Sequence, residues 1–344
     1  MRILDFGRFA ISTCIAAAML AGCGGGSQPL IGAPGAMPPT AAVARQADRG
    51  KSWIFPEAKG EDLLYVASES HGGSIFSYPQ GKFVGAFEGF SRPMGLCSDS
   101  AGHIFLVDNG VQQILEYVHG GTSPIATFND YGNDPNGCAV DPKTNNLAVV
   151  GGGGTVQGNI AVFKGEQGSP TVYYDKYDQG AYAWCTYDNN SNLFVNTGPG
   201  YGFGLIEMPS GSSTFLEFNL DYKLRGGGAV QWYGKYLAIA SPNGNGQGTK
   251  GPLYLYQIAV SGSTATIQKT ITLSTGKRNR NPGYPVQFWI QGDKIVSSKT
   301  TQGNLGIWRY PEGGEPTRNI QDNGRRQGNA GLLIGVTVSV APHH

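Results

Sequence analysis

The residues best suited to chemistry in this sequence are aromatic and polar side chains in several long, Gly-rich loops. An aromatic ring can stack on a sugar ring, and neighbouring amides and carboxylates can bond hydroxyl groups or a polar peptide. We therefore predict a binding surface made by these loops. Its candidate residues are Asp130, Tyr131, Asp134, Tyr177, Asp178, Tyr182, Trp184, Tyr201, Arg278, Arg280 and Tyr284. The alternative is that Tyr and Asn simply suit exposed β-turns.

The sequence offers little for catalysis or metal binding. His71, His103 and His119 lack the spacing of metal ligands, and the other two histidines end the chain. No Ser-His-Asp arrangement, phosphate loop or paired carboxylates stand out. Gly151 to Gly154 follow a predicted strand but open no helix, so they do not form a dinucleotide cradle. We therefore predict no catalytic residue, no metal and no cofactor.

Composition limits the partners. Charged residues make up 14 % of the chain and the net charge is +1, so the chain has no strong field for nucleic acid or anionic membranes. We expect no nucleic-acid partner and a monomeric protein.

The N-terminus has the pattern of an export signal. Arg2 and Arg8 precede the uncharged run Phe9 to Met19, which is too short to span a bilayer. The next four residues, Leu20 to Cys23, resemble the bacterial lipobox. That resemblance implies cleavage before Cys23, which then carries lipid and anchors the protein to a membrane.

The same resemblance bears on location. Gly24 stands where an aspartate would retain a lipoprotein at the inner membrane, so the outer membrane or the cell surface is favoured. The following segment is rich in Gly, Pro and Ala and cannot bury enough surface to fold. We therefore predict a signal peptide at 1–22, a lipidated Cys23 with a flexible tether over 23–52, and one domain over 53–344.

A repeat of about 40 to 50 residues determines the predicted fold. Each unit has a strand, a tight turn rich in Asp, Asn and Gly, a second strand, a Gly-rich loop and a third strand that ends in an aromatic residue. The clearest copies are Gly95 to Val107, Gly137 to Val150 and Trp184 to Val195. Third strands at Ile75, Ile114, Ile160, Leu205, Leu253 and Leu305 define six units.

The two ends of the repeat region complement each other. The first unit lacks a leading strand before Leu63, whereas Gly335 to Pro342 matches Gly137 to Pro142 in pattern. Pairing of the C-terminal strand with the segment near Leu64 would close six four-stranded blades into a ring and protect their edges. A β-sandwich or an open solenoid is the alternative fold.

The Gly-x-x-x-Asp, turn, strand pattern resembles NHL-repeat propellers over residues 60 to 341. The resemblance implies an all-β, six-bladed propeller in which the long candidate loops share the upper face. The fifth and sixth units depart from the pattern, with Tyr233 and Trp289 where the Asp would stand.

The fold also resembles that of gluconolactonase-like lactonases, which hold a divalent metal in the central channel with Glu, Asp and Asn side chains. One predicted inner-strand column reads Cys97, Ala139, Thr186, Gln231, Gln287 and Thr337. Its neighbour reads Leu96, Cys138, Cys185, Val230, Val286 and Val336. Because neither column contains an acid or a histidine, we favour a non-catalytic scaffold that binds glycan, peptide or protein. A metal-dependent hydrolase of the lactonase type and a purely structural envelope protein are the alternatives.

Three cysteines remain after export, because Cys14 leaves with the signal peptide and Cys23 takes lipid. Cys97, Cys138 and Cys185 lie in predicted inner strands of consecutive blades, where buried free thiols are expected. A disulfide between Cys97 and Cys138 across one blade interface is the alternative.

Overall fold

The computed structural model describes residues 51–68, 72–153, 156–174, 181–197, 204–220, 228–242, 252–275, 287–298, 304–322 and 333–342. All of them belong to the unit Asp48–His344. The predicted signal peptide, Cys23 and residues up to 50 lie outside the described residues. In the described part, short 3-10 helices cover Pro56–Gly60, Asn109–Val111 and Lys164–Glu166, and no helix has the length and apolar content for a bilayer crossing.

The described strands form six antiparallel blades, which we number 1 to 6 in chain order. Blade 1 contains β1 (Trp53–Ile54), β2 (Leu63–Ser68), β3 (Gly72–Ser77) and β4 (Phe83–Glu88). Blade 2 contains β5 (Pro93–Ser98), β6 (Ile104–Asp108), β7 (Gln113–Tyr117) and β8 (Ala126–Asn129). Blade 3 contains β9 (Pro135–Val140), β10 (Leu147–Gly153), β11 (Val156–Phe163) and β12 (Thr171–Tyr174).

The second half of the chain continues this order. Blade 4 contains β13 (Tyr182–Tyr187), β14 (Leu193–Thr197), β15 (Leu205–Met208) and β16 (Leu216–Glu217). After β17 (Asn219–Leu220), blade 5 contains β18 (Val230–Tyr233), β19 (Tyr236–Pro242), β20 (Leu253–Ser261) and β21 (Thr264–Leu273). Blade 6 contains β22 (Phe288–Gln291), β23 (Lys294–Ser298), β24 (Asn304–Arg309) and β25 (Gly313–Gln321). The last strand, β26 (Leu333–Ser339), returns to blade 1.

Strand β26 closes the ring, as the sequence predicts. It pairs antiparallel with β2, with Val338 opposite Leu64 and Val336 opposite Val66. The innermost strands contact one another in the circular order β26, β5, β9, β13, β18, β22 and again β26. The fold is therefore an all-β, six-bladed propeller, and the sandwich and solenoid alternatives are excluded.

The core lies between successive blades. Leu63 of blade 1 shares one buried cluster with Leu96 of blade 2, and Phe105 of blade 2 shares the next with Phe163 of blade 3. The second strands are therefore covered on both faces, and all six residues of β2 are buried. This explains why these strands read as continuous apolar runs rather than as alternating patterns.

The Asp of the repeat fixes the turn after the innermost strand. Asp99 Oδ1 accepts hydrogen bonds from the backbone of Ala101 at 3.0 Å and of His103 at 2.7 Å. In blade 4, Asp188 Oδ1 accepts equivalent bonds from Asn190 at 2.7 Å and Asn192 at 2.8 Å. These Asx-type turns satisfy backbone donors that the tight connection leaves unpaired.

The Gly of the repeat allows the innermost strands to approach each other. A Cβ atom on Gly95 would lie 2.7 Å from the Asn136 carbonyl oxygen, and one on Gly137 would lie 2.6 Å from that of Ala183. No larger residue fits at either position unless the neighbouring strand moves. The Gly and the Asp of the repeat are thus both structural.

The structure corrects the expectation of free thiols. Cys97 of β5 and Cys138 of β9 form a disulfide with a Cα–Cα distance of 5.7 Å, which links blades 2 and 3. Cys185 of β13 is a buried free thiol, and burial raises its pKa well above the usual range. The pairing that the sequence left as the alternative is therefore the one that forms.

The sixth blade corrects a predicted register. Ile295, the second residue of β23, pairs with Ile290, as Leu237, the second residue of β19, pairs with Trp232 in blade 5. Gln291 rather than Trp289 therefore occupies the place of the Asp, and Trp289 aligns with Gln231. A shift of two residues leaves every side chain on the same face of the sheet. The alternating sequence pattern therefore does not reveal such a shift.

Candidate functional site

The described part of the predicted binding surface lies on the upper face, where the innermost strands begin, between blades 2 and 3. Segment 109–112 connects β6 with β7, and segment 130–134 connects β8 with β9. The Asp130 N–H donates to the Gln112 carbonyl at 3.0 Å, and the Gly132 N–H donates to Gln112 Oε1 at 2.8 Å. These bonds join the two loops into one surface.

Asp130 supports this surface from the inside. It is 1 % exposed, its Oδ1 accepts a bond from Asn133 Nδ2 at 2.5 Å, and its Oδ2 has no partner among the described residues. Burial raises the pKa of this carboxyl, against the opposing effect of the Asn133 bond. The prediction that Asp130 contacts a ligand is corrected, because the loop packs over its side chain.

Two tyrosine rings stand exposed at this loop. Tyr131 is 65 % exposed, and its hydroxyl lies 3.4 Å from Gln113 Nε2. Tyr174, the last residue of β12, is 53 % exposed, and its hydroxyl donates to Asn133 Oδ1 at 3.5 Å. Gln113 Nε2 also donates to Asn129 Oδ1 at 3.0 Å. The Tyr131 hydroxyl thus lies against Gln113 of blade 2 and the Tyr174 hydroxyl bonds Asn133 of the loop, while both side chains are more than half exposed.

We call Tyr131, Tyr174, Gln113, Asn129 and Asp134 the tyrosine patch. Asp134 is half-buried and accepts a bond from Asn109 Nδ2 at 2.8 Å. The sequence predicted Tyr131 and Asp134 but missed Tyr174, since it reads as the end of an outer strand. The sequence feature that could have revealed Tyr174 is its position directly before a long upper loop, because the end of an outer strand is exposed there.

Tyr182 and Trp184 correct the prediction in the opposite direction. Tyr182 belongs to β13 rather than to the loop before it, Trp184 lies in the same strand, and the two side chains are 0 % and 5 % exposed. Tyr182 packs in the core between blades 3 and 4, and the Trp184 ring lies against Gly95 and Gly137 of blades 2 and 3. Because β13 begins at Tyr182, the side chains of Tyr182 and Trp184 both pack into the core of the propeller.

The remaining candidates lie outside the described residues: Tyr177, Asp178, Tyr201, Arg278, Arg280 and Tyr284.

The polar side chains of the central channel bond to neighbouring blades. Gln231 Nε2 donates to the Ile290 carbonyl at 3.1 Å, and its Oε1 accepts from the Ile290 N–H at 2.7 Å. Gln287 Oε1 accepts from the N–H groups of Leu96 and Val336, each at 3.0 Å, and its Nε2 donates to the Leu96 carbonyl at 2.5 Å. These glutamines therefore satisfy the inner strand edges.

An ionisable cluster lies on the lower face between blades 2 and 3. His103 Nδ1 lies 2.8 Å from Glu116 Oε1 and 3.6 Å from Asp99 Oδ2. Glu166 approaches from blade 3, and its Oε1 is buried without a partner among the described residues. Burial first, then the charges of Asp99 and Glu116, raises the pKa of Glu166 to about 7, and His103 opposes this rise.

This pKa predicts that the protein loses stability as pH rises. The folded state holds the Glu166 proton up to about pH 7, whereas the unfolded chain releases it near 4.5. The stabilisation is therefore complete below pH 4.5 and disappears as pH rises through 7. Because Glu166 is half-exposed, we expect a loss of only about 1 kcal/mol. Thermal unfolding between pH 4 and 8 should show this slope in the wild type and a smaller one in Glu166→Gln; equal slopes would contradict it.

Among the described residues, no three His, Cys, Asp or Glu side chains converge in a way that could hold a metal ion. The described wall of the lower channel likewise contains no acidic side chain and no histidine.

Comparison with known proteins identifies the fold alone. No protein-family model matches the chain, and no curated protein matches its sequence. A chain in the crystal structure of a nidogen/laminin complex is similar, with a TM-score of 0.62 and 12 % identity over 81 % of this chain and 99 % of that chain. A protein of unknown function from Bacteroides caccae is similar with a TM-score of 0.58 and 9 % identity over the same shares. These similarities agree with the propeller architecture.

Proposed function

We propose that this protein is a non-catalytic recognition scaffold that binds glycan through the tyrosine patch. The observation that carries the proposal is the pair of exposed tyrosines, Tyr131 and Tyr174, whose hydroxyls lie beside the side-chain amides of Gln113 and Asn133. Accessible ring faces can stack on sugar rings, and the neighbouring amides can bond sugar hydroxyls. The patch lies on one loop and on the strand ends beside it, at the edge of a rigid scaffold, where binding residues concentrate.

The proposal includes an anchored location. The lipobox-like residues Leu20 to Cys23 support export, lipidation of Cys23 and attachment to the outer membrane or cell surface. The tether would then carry a monomeric propeller away from the lipid. Labelling of cells with an alkyne fatty acid should mark the wild type and not Cys23→Ala, and Cys23→Ala should leave the membrane fraction. Retention of Cys23→Ala in that fraction would contradict the anchor.

The binding proposal predicts a specific loss of affinity. A glycan array screened with residues 52–344 should identify a ligand, and replacement of both Tyr131 and Tyr174 by alanine should weaken that binding at least about tenfold. Because both rings are exposed, the melting temperature should change by less than about 2 °C.

Ile125→Ala is the matched control, since Ile125 is 55 % exposed but lies on the lower side of blade 2. It should bind like the wild type. Capture of a peptide or protein from an envelope extract, with no glycan bound, would replace the proposed ligand class. Unchanged binding by the double variant would remove the patch as the site.

A further inference from the structure

Residues 130–134, which we call the tyrosine loop, are held by hydrogen bonds to two blades. On the side of blade 2 the loop makes the two bonds described above. On the side of blade 3, Asn159 Nδ2 donates to the Asn133 carbonyl at 2.9 Å, and the Gly152 N–H donates to the Asp134 carbonyl at 3.1 Å. The closed position of the loop therefore depends on both blades.

Asp130 connects the two exposed tyrosines of the patch. Its Oδ1 accepts a bond from Asn133 Nδ2 at 2.5 Å, and Asn133 Oδ1 accepts a bond from the Tyr174 hydroxyl at 3.5 Å. Tyr131 is the next residue in the chain. A change at the Asp130 carboxyl therefore reaches Tyr174 through the Asn133 amide and reaches Tyr131 through the backbone.

The buried side chains beside Asn133 lack hydrogen-bond donors. Asp130 Oδ2 is buried without a partner among the described residues. Asn159 is 0 % exposed and donates from Nδ2 to the carbonyls of Asn133 and Gln157, but its Oδ1 also has no partner among them. Both atoms are acceptors, and a proton on Asp130 would convert one of them into a donor.

The elements around the loop supply no positive charge to Asp130. Segment 109–112 and strands β7 to β12 contain no Lys, Arg or His. The ionisable side chains of these elements and of the loop are acids: Glu116, Tyr117, Tyr131, Asp134, Tyr173 and Tyr174. The Arg92 guanidinium bonds to Asn109 Oδ1 at 3.3 Å. An ionised Asp130 therefore carries a buried charge that these elements do not neutralise.

The direction of the effect follows from burial. Burial raises the pKa of Asp130, and the bond from Asn133 opposes this rise. Opening of the loop would expose the carboxyl and return its pKa towards the ordinary value of 3.8. Protonation therefore favours the closed loop. This stabilisation is complete below pH 3.8 and is lost as pH rises through the raised pKa.

We propose that Asp130 is a positioning residue whose protonation locks the tyrosine loop, so that the tyrosine patch is best ordered in acid and loosens as pH rises. Asp130 acts through Asn133 and the backbone rather than by contact with a ligand, because it is 1 % exposed. For binding, this inference rests on the proposed function: the patch should bind glycan more tightly in acid than at neutral pH. The order of the loop itself requires no ligand.

The test is hydrogen exchange of the purified full-length protein, measured by mass spectrometry on peptides that contain residues 129–134. Exchange rates between about pH 4 and 8 are compared with those of an unstructured peptide of the same sequence, which removes the intrinsic pH dependence of exchange. In the wild type, protection of the loop amides should be greatest at the lowest pH and should fall at least about threefold as pH rises.

Two variants assign this dependence to Asp130. Asp130→Asn is an uncharged side chain of the same shape that can still accept the bond from Asn133, so its protection should stay high at every pH. Glu166→Gln is the matched control, because it removes another acid with a raised pKa that lies on the lower face. Its loop should keep the pH profile of the wild type.

Protection that is constant or increases with pH in the wild type would overturn the proposal, and so would an unchanged profile in Asp130→Asn. The glycan array adds the functional readout: wild-type binding should be stronger at about pH 5 than at about pH 7.5, and Asp130→Asn should bind equally at both. An array with no bound glycan would remove the proposed function and leave the exchange result in place.

Discussion

Replacement of Cys97 and Cys138 by alanine is expected to lower the free energy of unfolding by about 4 kcal/mol. The disulfide closes a segment with a sequence separation of 41 residues, and its loss frees that segment in the unfolded chain. For a domain of this size the loss corresponds to a melting temperature about 6 °C lower. Calorimetry of the oxidised wild type and of the double variant measures the difference.

Reductant and Cys185 provide the controls. Addition of reductant should destabilise the wild type and leave the double variant unchanged, because only the former has a bond to lose. Cys185→Ala removes a buried thiol that makes no disulfide, so reductant should destabilise this variant as it does the wild type. In residues 52–344, which contain Cys97, Cys138 and Cys185 alone, thiol titration of the denatured, unreduced protein should find one free thiol; three free thiols would show that the disulfide does not form.

A chain that ends at residue 332 is expected to lose cooperative unfolding altogether. It lacks β26, in which Leu333, Val336 and Val338 are at most 2 % exposed. Each of these side chains contributes about 1.5–3 kcal/mol by burial, and their sum is comparable with the total stability of many domains. The truncation also leaves the edge of β2 without a partner, which favours aggregation.

A chain that ends at Pro342 is the matched control, because it keeps β26 and its contacts. It should melt in one transition close to that of the full chain. Addition of a peptide of residues 333–342 to the shorter chain should restore part of the cooperative transition. A cooperative melt of the shorter chain within a few degrees of the control would contradict the importance of ring closure.

The repeat made most of the fold predictable. Gly95 and Gly137 permit close strand approach, and Asp99, Asp141 and Asp188 stand at the turn position, so sequence spacing alone revealed the blades. Where the Asp is missing, in blade 6, the register was predicted two residues away from its true position. In a strand, two registers that differ by two residues bury the same set of side chains, so the alternating pattern does not distinguish them.

The candidate site was less predictable. Tyr131 and Asp134 were found because loops rich in Tyr and Asn stand out, but Tyr174 was missed because its exposure depends on where β12 ends. Asp130, Tyr182 and Trp184 have the residue types of binding groups, yet they are buried. Residue type does not distinguish a ligand contact from a core contact when a strand and a loop meet.

The sequence by itself determined the blade count, the turn chemistry and the pairing of the chain ends, because these depend on local spacing that repeats along the chain. The tertiary structure alone decided that Cys97 bonds Cys138, that Trp184 and Gln287 lie across the channel, and that Tyr131 and Tyr174 meet at one loop. Each of these depends on the distance between different blades. Blade-to-blade distances follow from how side chains pack around the ring, which sequence spacing does not encode.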